Sequence, residues 1–291
     1  MPVQNPNKLK LHPMHAFGVV GNLQTPLRIQ RFEDRFEPLV PFPHKHSFYH
    51  LVIVTAGRGW HEIDFQRYPI EKGRVFLMKP AQVHSWVVDK NSKGFVIEFE
   101  EDILSSLPVY APKIKHLLKN LSDSFLVKSK TDLLNLQNHC ESLLKEYEEK
   151  QRDYEMALSL SLFLLLIEFS RWSELKESAM SQVEGFATKY LNLVEDNYRV
   201  EHEVEFYAKK LGMTAKALTM KITRMTGRSA RALIQERLIL ESKRLLAYSD
   251  LSITEIADAL GYQDANYFSR FFRMKTQKTP AAFRQYAKKV T

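Results

Sequence analysis

The sequence predicts an α+β protein: an antiparallel β-barrel or sandwich with following helices, then an all-α domain of two helix-turn-helix units joined by a long helix. Three observations carry this. Residues 25 to 100 hold short β-branched and aromatic runs divided by Gly, Pro and Asn, apolar residues recur at helical spacing from about Ile103, and the segment from Ala208 onward contains an internal repeat. With 291 residues and 44% hydrophobic content, the chain is long enough for two cores and is not of disordered composition.

The strand runs are HLVIVT from His50, GWHEIDF from Gly59, RVFLMK from Arg74, HSWVV from His84 and FVIEF from Phe95, separated by Gly57, Gly59, Pro69, Gly73, Pro80 and Asn91. Short runs punctuated in this way fit a compact antiparallel β domain, expected over residues 1–105. His44, His46, His50 and His84 fall in or beside these runs. Imidazoles there suit the polar lining of an organic-ligand pocket first; zinc, copper, nickel or iron and a packed structural remnant are the alternatives. Trp60 and Trp86, with Phe48, Phe65 and Phe99, offer rings that either stack on a ligand or fill the core.

Helical spacing follows in IKHLLKNL from Ile114, TDLLNLQNHCESLLKEYEE from Thr131 and YEMALSLSLFLLLIEFSRW from Tyr154. An apolar helix after a β domain must bury against that domain or a partner, so residues 106–172 are expected to connect the domains and to form a homodimer. The polar stretch from Ser173 marks a linker over 173–184, leaving 185–291 as the last domain. The longest apolar run, Met156 to Ile167, falls short of the roughly 20 residues a membrane span needs. The N-terminal stretch MPVQNPNKLKLHPMH lacks the apolar core of a secretory signal, and the single Cys140 allows no internal disulfide, which fits a reducing compartment. A cytoplasmic protein with no membrane partner is expected.

In the repeat, Ala208, Leu211 and Gly212 recur 49 positions on as Ala257, Leu260 and Gly261, whereas Leu218, Ile222, Ser229 and Leu233 recur 50 on as Phe268, Phe272, Thr279 and Phe283. One residue has been inserted in the second turn. Gly212 and Gly261 suit a sharp positive-φ turn, after which Thr214 and Asp264 are placed to cap a second helix. Leu218, Ile222 and Met225, and Phe268 and Phe272, form inward stripes. Lys216, Ala217, Met220, Lys221 and Arg224, and Asn266, Ser269, Arg270 and Arg273, then face outward. Residues 206 to 291 hold 17 Lys and Arg against 6 Asp and Glu, and the rest 25 against 28. The positive field thus belongs to the repeat, as on a surface that neutralises phosphates.

Residues 186 to 288 resemble the C-terminal domain of AraC/XylS-type transcription regulators, most specifically in ITEIADALGYQDANYFSRFFRMKTQKTPAAFRQ, including Ala257, Gly261, Tyr262, Phe268, Arg270, Phe272, Thr279, Pro280 and Arg284. Gln277 stands where that family usually has Gly, Ala230 where the first unit often has Pro, and Met220 where a basic residue is usual. Residues 40 to 100, chiefly FPHKHSFYHLVIVTAGRGWHEI and EKGRVFLMKPAQVHSW, resemble the cupin-like sensor of part of the family, with His50 standing where cupins carry a Glu ligand.

The resemblance implies a sequence-specific regulator of transcription that binds double-stranded DNA, answers to a small-molecule effector in the N-terminal domain and contacts RNA polymerase. The effector would meet His44, His46, His50, His84, Trp60 and Trp86. Thr214, Lys216, Ala217, Met220, Lys221, Arg224, Asp264, Asn266, Ser269, Arg270 and Arg273 would form the DNA surface, Arg and Lys suiting guanine or phosphate and Asn266 adenine. A ligand-independent dimeric regulator is the alternative, and a metal-dependent cupin enzyme fused to a DNA-binding domain a further one. No Ser-His-Asp arrangement, phosphate loop or carboxylate pair supports catalysis, and no cofactor is expected; His44, His46, His50 and His84 are the candidates if a metal ion binds.

Overall fold

The structure, a computed structural model, describes residues 11–12, 14, 27–35, 43–172 and 183–290. Its described residues divide into two units, one within Lys10–Glu177 and one within Ser178–Thr291. Most of the expected linker, 173–182, lies outside the described residues, as does the N-terminal stretch read for a signal, apart from residues 11, 12 and 14.

The first unit is built on β1 (Leu11–His12), β2 (Leu27–Arg31), β3 (His44–His46), β4 (Tyr49–Ala56), β5 (Gly59–Ile63), β6 (Gln66–Ile70), β7 (Arg74–Met78), β8 (Val83–Val88), β9 (Lys93–Phe99) and β10 (Ser124–Leu126). They form two five-stranded sheets, ordered β1-β3-β8-β5-β6 and β10-β7-β4-β9-β2. The pairing is antiparallel except for the short parallel contact of β1 with β3.

Side chains alternate across a strand, and in the second sheet both faces are covered. Val52, Val54, Phe76, Met78 and Val96 pack inward with Ile63, Ile70 and Trp86 of the first sheet. The intervening Leu51, Ile53, Val75, Leu77, Phe95, Ile97 and Phe99 join a cluster with helical residues that include Leu158, Leu162, Phe163, Leu166 and Phe169. Gly94 makes the close approach of β9 to β4 feasible, since a Cβ there would lie 1.9 Å from the Ile53 carbonyl oxygen.

That covering comes from α1 (Ala111–Asn120), α2 (Lys130–Glu149) and α3 (Tyr154–Trp172). The Ser129 hydroxyl caps α2 by accepting from Asp132 N. Residues 106–172, expected as a helical connecting region, also supply β10, whose Phe125 is buried on the edge of the second sheet opposite Val75. Three residues are too few to show a period, so only pairing with β7 makes them a strand.

The second unit comprises α4 (Val183–Asn197), α5 (Val204–Lys210), α6 (Ala215–Thr226), α7 (Ala230–Tyr248), α8 (Ile253–Ala259), α9 (Ala265–Thr276) and α10 (Pro280–Val290). The helix pairs α5–α6 and α8–α9 are the two repeats. Their turns, 211–214 and 260–264, differ by the one inserted residue. Gly212 and Gly261 take φ of 69° and 75°. Ser229 and Thr279, matched in the repeat, are both capping residues, accepting from Ala232 N and Ala282 N at 3.2 Å. Leu218, Ile222, Phe268 and Phe272 are fully buried, whereas Met225 is only partly so.

The long helix α7 carries Glu241, buried and held by Arg199, Arg237 and Arg244 at 3.0 to 3.3 Å. Burial alone would raise its pKa, but these guanidinium groups keep it below the ordinary carboxylate value. Arg284 donates to the carbonyls of Leu246 and Leu251, closing α10 over the end of α7. Gln277, despite its side chain, takes the left-handed conformation at φ 60°, and its N–H reaches the Arg273 carbonyl at 2.8 Å. The positive-φ cap that Gly227 forms after α6 is therefore formed after α9 as well, at the roughly 1–2 kcal/mol a Cβ costs in that region.

Candidate functional sites: a buried histidine cluster and two outward helix faces

Strand register gathers the histidines of the first unit. His44 lies opposite His84 across β3 and β8, and His61 lies opposite Trp86 across β5 and β8. The His84 ring accordingly meets both neighbours, its Nε2 3.0 Å from His44 Nε2 and its Nδ1 3.1 Å from His61 Nε2. His46 donates from Nδ1 to the Phe48 carbonyl at 2.9 Å, and its ring stacks on Phe48 at 4.3 Å and on His50 at 5.2 Å. Trp86 closes the group edge-on, 5.3 Å from His61 and 5.8 Å from His84. All five histidines are buried.

From the second sheet, register places Arg28, Glu98 and His50 side by side on β2, β9 and β4. Arg28 donates from Nε to Glu98 Oε2 at 2.6 Å and from Nη2 to the same oxygen, while His50 Nδ1 lies 3.5 Å from Oε1. A carboxylate this buried needs such partners. Glu98 therefore stands against the His50 ring, beside the residue that occupies the usual cupin Glu position.

Burial, together with nearby His46 and His44, pushes the His61 pKa down to about 3, and burial likewise holds His84 well below 6.5. These rings are neutral, each offering one donor and one acceptor nitrogen. Among the described residues no group of three or more His, Cys, Asp or Glu side chains is arranged to hold a metal ion. The two ring nitrogens of His84 are directed at two other imidazoles.

Of the rings expected to meet an effector, Trp86 joins the cluster and Trp60 does not. Trp60 precedes His61 on β5, so alternation turns it to the outer face, where the Arg67 guanidinium lies 4.0 Å from its ring. Phe99 stacks on Tyr49 at 5.0 Å within the helix-facing core. Sequence reasoning missed His61, Arg28 and Glu98. The signal for His61 was present: it has the parity of Ile63 and the opposite parity to Trp60.

In the second unit, Thr214 Oγ1 accepts from Ala217 N at 3.2 Å and Asp264 Oδ1 from Asn266 N at 2.8 Å. Both caps are thus engaged in starting α6 and α9. Lys216, Ala217, Met220 and Arg224 are exposed on α6, as are Asn266, Arg270 and Arg273 on α9, with Ser269 half-buried between. Lys221 is exposed as well, but an aromatic ring lies beside it. Its equivalent fifty residues on, Phe271, is buried, and Lys221 Nζ sits 3.7 Å from the ring of Phe186 on α4. It lies at the border of the face, in a cation–π contact. Four exposed residues had not been singled out: Thr223 on α6, and Tyr267, Met274 and Lys275 on α9.

A family model described as an AraC-like ligand binding domain matches residues 29–166, and one described as a helix-turn-helix domain matches residues 207–286. The chain is similar to the HTH-type transcriptional activator RhaS of Pectobacterium carotovorum subsp. carotovorum, 27% identical over 264 residues that cover 86% of this chain and 90% of that protein. It is also similar to the HTH-type transcriptional activator RhaR of Mannheimia succiniciproducens, 25% identical over 267 residues, with coverage of 90% and 92%. Among solved structures, ToxT of Vibrio cholerae O395 aligns over 91% of this chain and 97% of its own, at 15% identity and a TM-score of 0.41. No helix among the described residues is long and apolar enough to cross a membrane.

The neutral cluster has a pH signature. The unfolded chain binds protons on His61 and His84 near pH 6.5, whereas the folded cluster refuses them until much lower pH. Stability is therefore complete above about pH 6.5 and is lost as pH falls below it. Urea melts from pH 7 to 4 are expected to show a shallower loss in His61→Gln than in the parent; equally steep losses would remove His61 from the effect.

Proposed function

This chain belongs to the AraC family of DNA-binding transcription regulators with an N-terminal ligand-binding domain, and from that premise we propose that α6 and α9 read an operator while the histidine cluster receives the effector. The observation that carries the first part is the pair of capped helices, each with its apolar stripe buried and its outer face exposed, in the segment that holds the basic surplus. A helix so presented enters a major groove. The two units flank α7, whose 19 residues rise about 1.5 Å each, roughly 28 Å in all. Two reading helices about one DNA turn apart suit that span.

On α9, Arg270 at the centre of the outer face suits the two acceptors of guanine, Arg273 guanine or phosphate, and Asn266 adenine. On α6, Lys216 and Arg224 supply cations on either side of Met220. The caps Thr214 and Asp264 set where each helix begins. Lys221, drawn to Phe186, contributes less than its sequence position suggests.

The effector is a small organic molecule bearing hydroxyl or carbonyl groups. Support comes from the buried imidazoles, a hydrogen-bonding group that sits with Trp86 between two sheets whose inner faces are apolar around Val52, Phe76 and Val96. The effector acts only by binding one arrangement of the chain better than another. Self-association is assigned to α3, where Met156, Leu160 and Leu164 are exposed at four-residue intervals on one face. Relatives named as activators support a role in raising transcription through RNA polymerase.

Binding-site selection on random DNA tests the central reading, and failure to enrich any motif would overturn it. With the recovered site, Arg270→Ala is expected to cost about 1–3 kcal/mol and to relax base preference at one position, whereas Lys221→Ala leaves base preference unchanged. Equal losses in the two variants would contradict this division. A true effector should raise the melting temperature of the whole chain in proportion to RT ln(1 + [L]/Kd), and a metabolite screen giving no such rise would favour a ligand-independent regulator. The double variant Leu160→Glu, Leu164→Glu should sediment as a monomer; undiminished association would take the interface away from α3.

A further inference from the structure

The two reading helices present different chemistry at equivalent positions, and we infer that α6 reads thymine methyl groups while α9 reads hydrogen-bonding base edges. This rests on the assignment of both helices to DNA. Met220 holds the centre of the α6 outer face and is 66% exposed. Its neighbours one turn away on that face are Lys216, Ala217, Thr223 and Arg224, all exposed. Ala217, Met220 and Thr223 each present a methyl group, in a strip at intervals of three residues. Fifty positions on, the corresponding residues are Tyr267, Arg270 and Arg273.

Ala217, Met220 and Thr223 have no role in the core that would explain apolar groups here. The inward side of α6 is already supplied by Leu218 and Ile222, both fully buried. Nor does Met220 suit phosphate: a thioether carries no charge and is a weak acceptor. What it suits is the single apolar feature that a base pair shows in the major groove, the C5 methyl of thymine, for which Ala and Thr methyls are matched partners. Met is unbranched and polarizable, so it can follow the methyl without a fixed geometry. Lys216 and Arg224, on either side, would be drawn to the phosphates and press the strip between them onto the base edges.

An operator read this way has two unlike halves. The half under α9 is specified by guanine and adenine through Arg270, Arg273 and Asn266. The half under α6 is specified by thymine, and its recognition is an apolar contact of low salt dependence, since the counterion term belongs to the flanking cations.

Replacing thymine by deoxyuridine removes only the methyl group, which makes the test direct. The full chain is used to select a motif from random DNA, and each thymine of that motif is then replaced singly by deoxyuridine. At one or more thymines the parent protein is expected to lose about three- to fivefold in affinity, the worth of one buried methyl. At the thymine that Met220 reads, Met220→Ala, whose side chain stops at Cβ and falls short of the base, is expected to bind the thymine and uracil sites alike, and Met220→Arg to shift preference at that position toward guanine. Melting temperatures of both variants should match the parent, because the side chain is exposed. If a motif is recovered but no thymine shows a methyl dependence that Met220→Ala abolishes, the inference fails and Met220 belongs to a protein contact or to solvent. If no motif is recovered at all, the DNA-reading assignment falls with it.

Discussion

The second sheet of the N-terminal unit is buried on both faces, and the rest of that unit follows from this constraint. Odd-numbered residues of β4, β7 and β9 face the helices, and even-numbered residues face the other sheet. A charged residue on the inner face then has no route to water. Arg28 and Glu98 are on that face and satisfy each other, with His50 placed against the same carboxylate. Because the pairs sit on neighbouring strands in register, the polar row is a product of backbone pairing as much as of side-chain choice. The cluster of five imidazoles forms where this row meets the inner face of the first sheet, so the sandwich is apolar around Val52, Phe76 and Val96 and polar around His84.

Double burial also explains what could and could not be read from the amino-acid order. HLVIVT in β4 reads as a near-continuous apolar run, which identifies a strand but hides which residues face which way. In β5 the order Gly59-Trp60-His61-Glu62-Ile63 does alternate, yet the more conspicuous ring, Trp60, drew the ligand-binding expectation, whereas His61 is the β5 ring that joins the buried cluster. Glu98 and Arg28 are unremarkable in sequence because they stand 70 positions apart, and nothing local announces that they meet. The second unit was more legible: turns, caps and inward stripes follow from residues within a few positions of one another. Lys221 is the exception, since its contact with Phe186 comes from a helix that the repeat does not contain.

The repeat is symmetric in its interior and asymmetric at its surface. Leucine and isoleucine in the first copy become phenylalanine in the second without changing the role of either position, because each fills a sealed space whose only demand is volume and apolarity. The second copy is the more aromatic: Tyr262, standing where the first copy has Met213, is buried, and its ring lies within 5.4 to 6.0 Å of Phe268, Phe271 and Tyr267 and 4.6 Å from His202. Surface positions carry no such constraint, which leaves the outer faces at liberty to differ as Met220 and Arg270 do.

Gly212 and Gly261 occupy matching turns and share a left-handed backbone, yet they are not the same kind of glycine. Around Gly212 a Cβ would find no atom within 4 Å, whereas at Gly261 it would lie 2.3 Å from the Arg199 carbonyl oxygen. The first is required by conformation alone, which Asn or Asp can meet at modest cost. The second is required by space, and no side chain satisfies it unless the segment after α4 moves away. Over evolutionary drift the two positions should therefore diverge, the earlier one wandering among small polar residues while the later one stays invariant, although a comparison of the turns by torsion angle alone would rank them as equals.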